Sequence, residues 1–394
     1  MKFNNYLLRT NIANSNSITP SLRGVALLRR SNPFLIIFMD CFVATKVAPR
    51  NDVSLLCTLL RIVSTIRLLT IRTIFLPVIF MLLSAFSSSD FNKNNAEFIS
   101  LLKDTKITVV APASGGSNEL LSNLKNIASL KLNIPNDCFA GKSLFHSTDD
   151  QTRLLCLEKA LTDQSDNVIW TLRGGYGSAK LIPDLQRLKK PIKEKFFIGF
   201  SDMTALHIFL SQEWGWKTIH GNGIIEILDP TKDRQNFIKI AKIISGKETQ
   251  AKIKGLSALN LAAKSSKIVT GNLTGGNLTI VQTSIGTSWQ IKTADKILFL
   301  EDVYIKPYQL DRILYHLKQA GLLDQINAII FGNCGSDNKT ITTVLTDFAA
   351  TLKIPVFKTN RFGHERVNDP IIYNTNTKII LTDDNQFELI MKCY

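Results

Sequence analysis

From Lys106 onward, short β-branched runs alternate with stretches of helical spacing. Lys106-Ile-Thr-Val-Val-Ala runs into Pro-Ala-Ser-Gly-Gly116, a strand breaking into a loop of small residues, and Asn118 to Leu132 has the spacing of a helix. Asp149 to Leu161 predicts a helix with Leu154, Leu155, Leu157 and Leu161 on its apolar face. Val168 to Leu172 predicts a strand, Arg173 to Gly177 a glycine-rich turn, and a helix follows. Phe196 to Phe200 is an apolar run of strand length, and Leu206, Ile208, Phe209 and Leu210 suit a buried helix beyond it. Strands alternating with helices from 106 to 220 predict a parallel sheet, so residues 104–228 are expected to form an α/β domain of Rossmann or flavodoxin type.

The pattern then changes. Residues 229–264 are lysine-rich, with one helix over Asn236 to Ile244, and are expected to link two domains. In Lys267 to Trp289 glycines interrupt every apolar run, which predicts strands and turns. Lys296 to Leu300 then reads as a strand ending in Glu301-Asp302, Tyr308 to Ala320 as a helix, Gln325 to Phe331 as a strand and Ile341 to Leu352 as a helix. A strand from Ile354 runs into a loop carrying His364, and Ile371 to Met391 reads as two short strands. Residues 265–394 are thus expected to form a smaller, mixed α+β C-terminal domain.

Composition alters the reading mainly at the N-terminus. The chain has 394 residues, 45% hydrophobic and 20% charged, with a formal charge of +15. Residues 1–88 hold ten Lys/Arg and two acids, so +8 lies there and +7 on the rest. A nucleic-acid partner is therefore not expected, since more than half of the excess lies in under a quarter of the chain. The apolar run Ile74 to Phe86, preceded by Arg67 and Arg72, is 13 residues, short for a membrane span and of the length of a signal-peptide core. Ala85-Phe-Ser87 offers a cleavage site. Residues 1–88 are expected to be a basic leader outside the fold, acting as an export signal or anchor and supplying the only membrane contact. The expected location is the periplasm or cell envelope, with the cytoplasm as the alternative.

Candidate chemistry centres on Ser201. A serine between strand and helix either presents its hydroxyl as a nucleophile at the carboxyl edge of a sheet, beside free helix N–H groups, or N-caps the helix. Three glycines within Gly174 to Gly177 permit close backbone approach to a ligand. The Ser114-Gly-Gly116 loop lacks both a P-loop lysine and GxGxxG spacing. A serine nucleophile needs a base and an orienting acid. His220 and His364 both follow strands beside glycine, and local logic leaves them tied; Glu301 and Asp302 are both candidates for the acid. The six cysteines show no CxxC and no metal spacing and are expected to be idle or buried thiols. No metal and no cofactor are implied.

Arg173-Gly-Gly-Tyr-Gly177, Gly199-Phe-Ser-Asp202-Met-Thr-Ala-Leu206, His220-Gly221, Gly275-Gly-Asn-Leu278, Leu300-Glu-Asp302 with Pro307-Tyr308 and Asp311-Arg312, and Phe362-Gly-His364 occur in an order that resembles the LD-carboxypeptidases. These serine peptidases include muramoyl-tetrapeptide carboxypeptidases and microcin C self-immunity peptidases. The resemblance runs from Lys106 to the C-terminus. It implies a triad of Ser201, Glu301 and His364, an oxyanion hole from the backbone of Asp202 and of Gly174 or Gly175, and an active site in the cleft between two domains whose relative position would control assembly of the triad. Arg173, Tyr176, His220 and Asn277 become candidates for substrate binding. The sequence departs from the family pattern at Asn222, where proline is usual, and at Pro370-Ile-Ile-Tyr373.

The implied activity is removal of the terminal D-alanine from peptidoglycan stem tetrapeptides through an acyl-enzyme on Ser201, the partner being a peptidoglycan-derived peptide. A homodimer is compatible with this reading. The runner-up is hydrolysis of a peptidyl-nucleotide antibiotic, for which Trp289 would be an aromatic candidate. A non-catalytic binder using the same cleft is the alternative outside enzymology.

Overall fold

The computed structural model describes residues 95–127, 130–139, 143–335 and 339–394, all within the unit Ser88–Tyr394. The expectations for residues 1–88, signal core and anchor included, lie outside the described residues.

Five short strands, β1 (Lys106–Val110), β2 (Lys131–Asn133), β3 (Val168–Thr171), β4 (Phe196–Gly199) and β5 (Ile219–His220), pair in parallel in the order 2-1-3-4-5. This is the flavodoxin-type doubly wound order, which places ligands outside the carboxyl ends of the strands where the order reverses, here between β1 and β3. Every residue of β3 is buried, as expected of a strand covered on both faces. Helices α1 (Asn118–Lys125) and α2 (Asp150–Thr162) start at sequence-encoded caps: Ser117 accepts from Leu120 N, and Asp149 from Thr152 N. The helix expected to run to Leu132 stops at Lys125, and its final residues belong to β2. Helix α3 (Thr204–Glu213) follows β4 and is buried from Thr204 to Ser211.

The stretch expected as a linker is not one. Helix α4 (Arg234–Ile244) buries Phe237, Ile238, Ile240 and Ile243 in the core, and β6 (Gln250–Ala258) is a barrel strand between two neighbours. Its lysines, Lys252 and Lys254, alternate outward with Ala251 and Ile253 inward, so a half-buried strand had looked like polar sequence.

The C-terminal half is a closed seven-stranded barrel, a finer architecture than the expected mixed domain. It contains β6, β7 (Ile268–Asn277), β8 (Lys296–Glu301), β9 (Ala328–Phe331) and β10 (Val356–Lys358). β7, β8, β9 and β10 run parallel to one another in that order, with helices α5 (Leu278–Thr283), α6 (Pro307–Gln319) and α7 (Lys339–Ala350) in the crossovers. After β10 the chain passes through the loop bearing His364. It then forms β11 (Ile371–Ile372), which leaves the barrel and pairs antiparallel with β5 of the first sheet. Strands β12 (Asn376–Leu381) and β13 (Phe387–Lys392) complete the barrel. The tail is therefore three strands rather than two, and the first stitches the halves together.

Cys138 and Cys156 form a disulfide between the turn before α2 and α2 itself, correcting the expectation of idle thiols there; Cys334 and Cys393 are free and buried.

Candidate active site

Gly199 ends β4 at a point with no room for a side chain: a Cβ there would lie 2.4 Å from Thr171 Oγ1 and 2.7 Å from Met203 Cγ. Phe200 is extended, and Ser201 then adopts φ 61°, a left-handed conformation that a non-glycine residue occupies at some energetic cost. A tight 3₁₀ turn over Ser201–Met203 leads into α3, whose cap position is Met203. Ser201 is therefore not the N-cap of α3, and the capping alternative falls. The geometry is that of a strained strand-to-helix elbow.

The turn after β3 packs directly on this elbow. A Cβ on Gly174 would lie 2.7 Å from Ser201 Cβ, so glycine alone lets the two backbones approach. Gly175 and Gly177 have φ of 121° and 116°, and a Cβ on Gly175 would meet Ser114 Oγ at 2.0 Å. The loop after β1 thus meets the turn after β3 at the point where the strand order reverses. The buried carboxylate of Asp202 accepts from Ser178 N at 2.8 Å, and its carbonyl accepts from Ser178 Oγ at 2.7 Å, which ties elbow to turn. Burial raises the pKa of Asp202. Buried Arg153 holds the other end by donating to the Gly177 carbonyl at 3.1 Å. Arg173 is exposed, and Tyr176 is exposed and stacked on His146 at 5.5 Å.

The expected acid and base come from the barrel side. Glu301, the last residue of β8, is fully buried, and its Oε2 lies 2.7 Å from His364 Nδ1. The ring of His364 stands 4.8 Å from that of Phe200, the residue before Ser201. Burial works to lower the pKa of His364, but the charge and hydrogen bond of Glu301, with Asp302 and Glu226 behind, outweigh it and raise the value. Asp302 is committed elsewhere: its carboxylate accepts from Thr279 N and Oγ1, Val303 N and Asn277 Nδ2. Between the adjacent carboxylates, only Glu301 faces a histidine.

His220 does not join them. It is wholly buried, its ring lies among those of Phe200, Phe299 and Phe362, and burial lowers its pKa to about 4 against the opposing charge of Glu301 and the Asn368 side chain. The expected substrate-binding role of Asn277 also meets a different geometry. Asn277 is buried, its Oδ1 caps α5 by accepting from Ile280 N, and its Nδ2 faces Asp302 Oδ1 at 3.2 Å and Glu301 Oε1 at 3.5 Å.

Sequence reasoning missed the fastening of the histidine loop. Lys232 Nζ donates to the carbonyls of His364, at 2.7 Å, and Glu365, at 3.3 Å. Asn236 donates to the Arg366 carbonyl and accepts from Asn368 N, while Asp369 is bound by Lys239 and Arg361. With β11 paired to β5, the loop bearing His364 is fastened to both halves of the protein. The departure at Asn222 also has a structural counterpart, because its Nδ2 donates to Glu226 at 2.5 Å.

Residues 107–221 match the family model of the LD-carboxypeptidase N-terminal domain and residues 270–379 that of the LD-carboxypeptidase C-terminal domain. A relative from Rickettsia conorii, which carries a carboxypeptidase name without a substrate, is 60% identical over 307 residues, covering 78% of this chain and 95% of the relative. The murein tetrapeptide carboxypeptidase of Pseudomonas aeruginosa is 26% identical over 284 residues, 67% of this chain and 90% of that one. In fold, the chain is similar to the muramoyltetrapeptide carboxypeptidase of Oxalobacter formigenes, with a TM-score of 0.62 at 22% identity over 74% of this chain and 99% of that one. With both domain models matched in order across an elbow and an acid–histidine pair, the chain belongs to the LD-carboxypeptidase family.

Proposed function

We propose that this peptidase is a serine-type LD-carboxypeptidase that removes the terminal D-alanine from peptidoglycan stem tetrapeptides. The observation that carries the reading is the Glu301–His364 pair set against the Phe200-Ser201 elbow. With Nδ1 directed at Glu301, Nε2 is the ring nitrogen left for Ser201. His364 takes the serine proton as Oγ attacks the scissile carbonyl carbon, and Glu301 stabilises the imidazolium that forms. The backbone N–H groups of Asp202 and of Gly174 or Gly175 receive the developing oxyanion. His364 returns the proton to the departing D-alanine amine, then activates the water that releases the acyl group from Ser201. Arg173, exposed beside the turn, is the candidate for the substrate's terminal carboxylate.

The test is D-alanine release from an L,D-linked tetrapeptide, compared with the same peptide ending in L-alanine, for the wild type and Ser201→Ala. Release confined to the D-terminal peptide and lost in Ser201→Ala is expected. Equal activity of Ser201→Ala would overturn the reading. The peptidyl-nucleotide alternative loses its aromatic candidate, since Trp289 is buried in the core and offers no ring face to a base.

We also propose export. The disulfide between Cys138 and Cys156 supports an oxidising compartment. N-terminal sequencing should find a mature chain beginning near Ser88; residues 60–88 retained on protein from the cytoplasm would refute this.

A further inference from the structure

The Gly275-Gly-Asn277 segment ends β7 at the joint between barrel and sheet. Gly276 sits at φ 114°, and a Cβ there would lie 2.5 Å from both Thr204 Oγ1 and the Tyr373 hydroxyl. Glycine therefore leaves the space into which two buried hydroxyls reach. The Asn277 N–H donates to Thr204 Oγ1 at 2.9 Å, and the Tyr373 hydroxyl donates to the Gly275 carbonyl at 2.9 Å. Tyr373 stacks on His207 at 4.6 Å, and His207 Nε2 lies 2.9 Å from the carbonyl oxygen of Gly199, where β4 ends.

Thr204 opens α3 three residues after Ser201, and the Asn277 side chain lies 3.5 Å from Glu301 Oε1. One hydrogen bond, one residue and one polar contact thus separate the nucleophile's turn from Glu301. We propose that Thr204 is a positioning residue, whose hydroxyl fixes Asn277, and through it the Glu301–His364 pair, relative to Ser201. The proposal rests on the reading of Ser201, Glu301 and His364 as the triad. Thr204 is fully buried, so its influence passes through the protein rather than through contact with a peptide. The hydroxyl is the needed part because it accepts a backbone N–H; an isosteric methyl keeps the shape and leaves that N–H without a partner. The end of β7 must then shift or admit water, and the pair it carries moves with it.

The experiment compares the wild type with Thr204→Val, Thr204→Ser and Ser201→Ala by steady-state kinetics across pH, with melting temperatures. Misplacing a catalytic group by about 1 Å costs up to ~100-fold, so kcat of Thr204→Val should fall about 10- to 100-fold while KM stays near the wild-type value. Thr204→Ser, which keeps the acceptor, should recover most of the loss. The acidic limb of the pH profile should stay in place, since His364 keeps Glu301 while both move. Should Thr204→Val melt below the assay temperature, Thr204→Ala, which opens space instead of straining it, should give the same kcat loss. Wild-type kcat in any folded variant lacking the hydroxyl, with Ser201→Ala inactive, would overturn the proposal and leave the triad standing. A Thr204→Ser variant as slow as Thr204→Val would also overturn it, pointing to methyl packing. Undiminished activity of Ser201→Ala would remove both.

Discussion

Glu301 and His364 meet at 2.7 Å, although one ends a barrel strand and the other lies on a loop fastened to the opposite half of the protein. The pair is enclosed, so its field is poorly screened and outweighs the burial that would otherwise keep the imidazole neutral.

The proposed base works only when neutral, so kcat/KM should rise as pH climbs through the pKa of His364, which lies above the ordinary 6.5. Glu301→Gln removes the charge and leaves the burial. Its acidic limb should move to lower pH while the plateau falls by roughly 10²- to 10⁴-fold. Stability should respond with the opposite sign. The raised histidine stabilises the fold fully below pH 6.5, and that contribution is lost as pH rises through the folded-state value. Glu301→Gln should therefore cost most below pH 6.5. An acidic limb that stays put would contradict the assignment of the acid.

Gly174→Ala should disable the site without unfolding the protein. The added methyl would lie 2.7 Å from Ser201 Cβ, 3.1 Å from its Oγ and 3.3 Å from the Phe200 carbonyl oxygen. Such contacts force the turn away from the elbow and withdraw the proposed oxyanion donor, a loss that costs about 10²- to 10³-fold in kcat. A folded Gly174→Ala variant with wild-type turnover would show that the close approach serves packing alone.

The strand–turn–helix units were legible because each apolar run stops at glycine or serine, and that is where the chain turns. The elbow was half legible. Its residues stood out, but only the left-handed φ of Ser201 separates nucleophile geometry from a cap. Glu301 and Asp302 cannot be told apart locally, because both follow the same apolar run; the hydrogen bonds Asp302 makes to Thr279, two elements away, decide between them. His220 and His364 were tied for the same reason. His220 is enclosed by Phe200, Phe299 and Phe362, contacts that span most of the fold and leave no periodic trace. The grip of Lys232 on the histidine loop, across 132 positions, is equally invisible in sequence. β6 is different. Its period of two over Gln250 to Lys254, with Ala251 and Ile253 inward, was present and was masked by the lysines between them.

The disulfide should support the fold and leave the chemistry alone. It closes a loop of 18 residues between the turn before α2 and α2, so reducing it should cost about 3 kcal/mol of stability. Cys138→Ser should lower the melting temperature while kcat at 25 °C stays within about twofold, since neither cysteine touches the elbow or the acid–histidine pair. A melting temperature unchanged by reductant would mean the bond does not form in solution.

The fold should be labile to acid, because two other histidines titrate in the opposite sense to His364. His207 and His220 are wholly buried, and burial lowers both to about 4. A lowered folded-state value means the unfolded chain takes up protons first as pH falls below 6.5, so stability is full above 6.5 and is lost on the way down. At pH 4 each ring should have withdrawn roughly 3 kcal/mol, enough together to unfold a marginal domain. The consequences of charging them differ. His207 has Thr218 Oγ1 at 2.7 Å from Nδ1 and the Gly199 carbonyl at 2.9 Å from Nε2, so both nitrogens have neighbours that can accept a hydrogen bond from the charged ring. His220 lies among three phenylalanine rings, and although the charge of Glu301 and the Asn368 side chain favour its charged form, burial outweighs them, so charging it would place a poorly solvated cation there. His220→Asn, which cannot be charged, should therefore flatten the fall in melting temperature between pH 6.5 and 4.5 even though its stability at pH 8 is lower. A wild-type melting temperature that holds level over that range would show that these rings are not held neutral by burial.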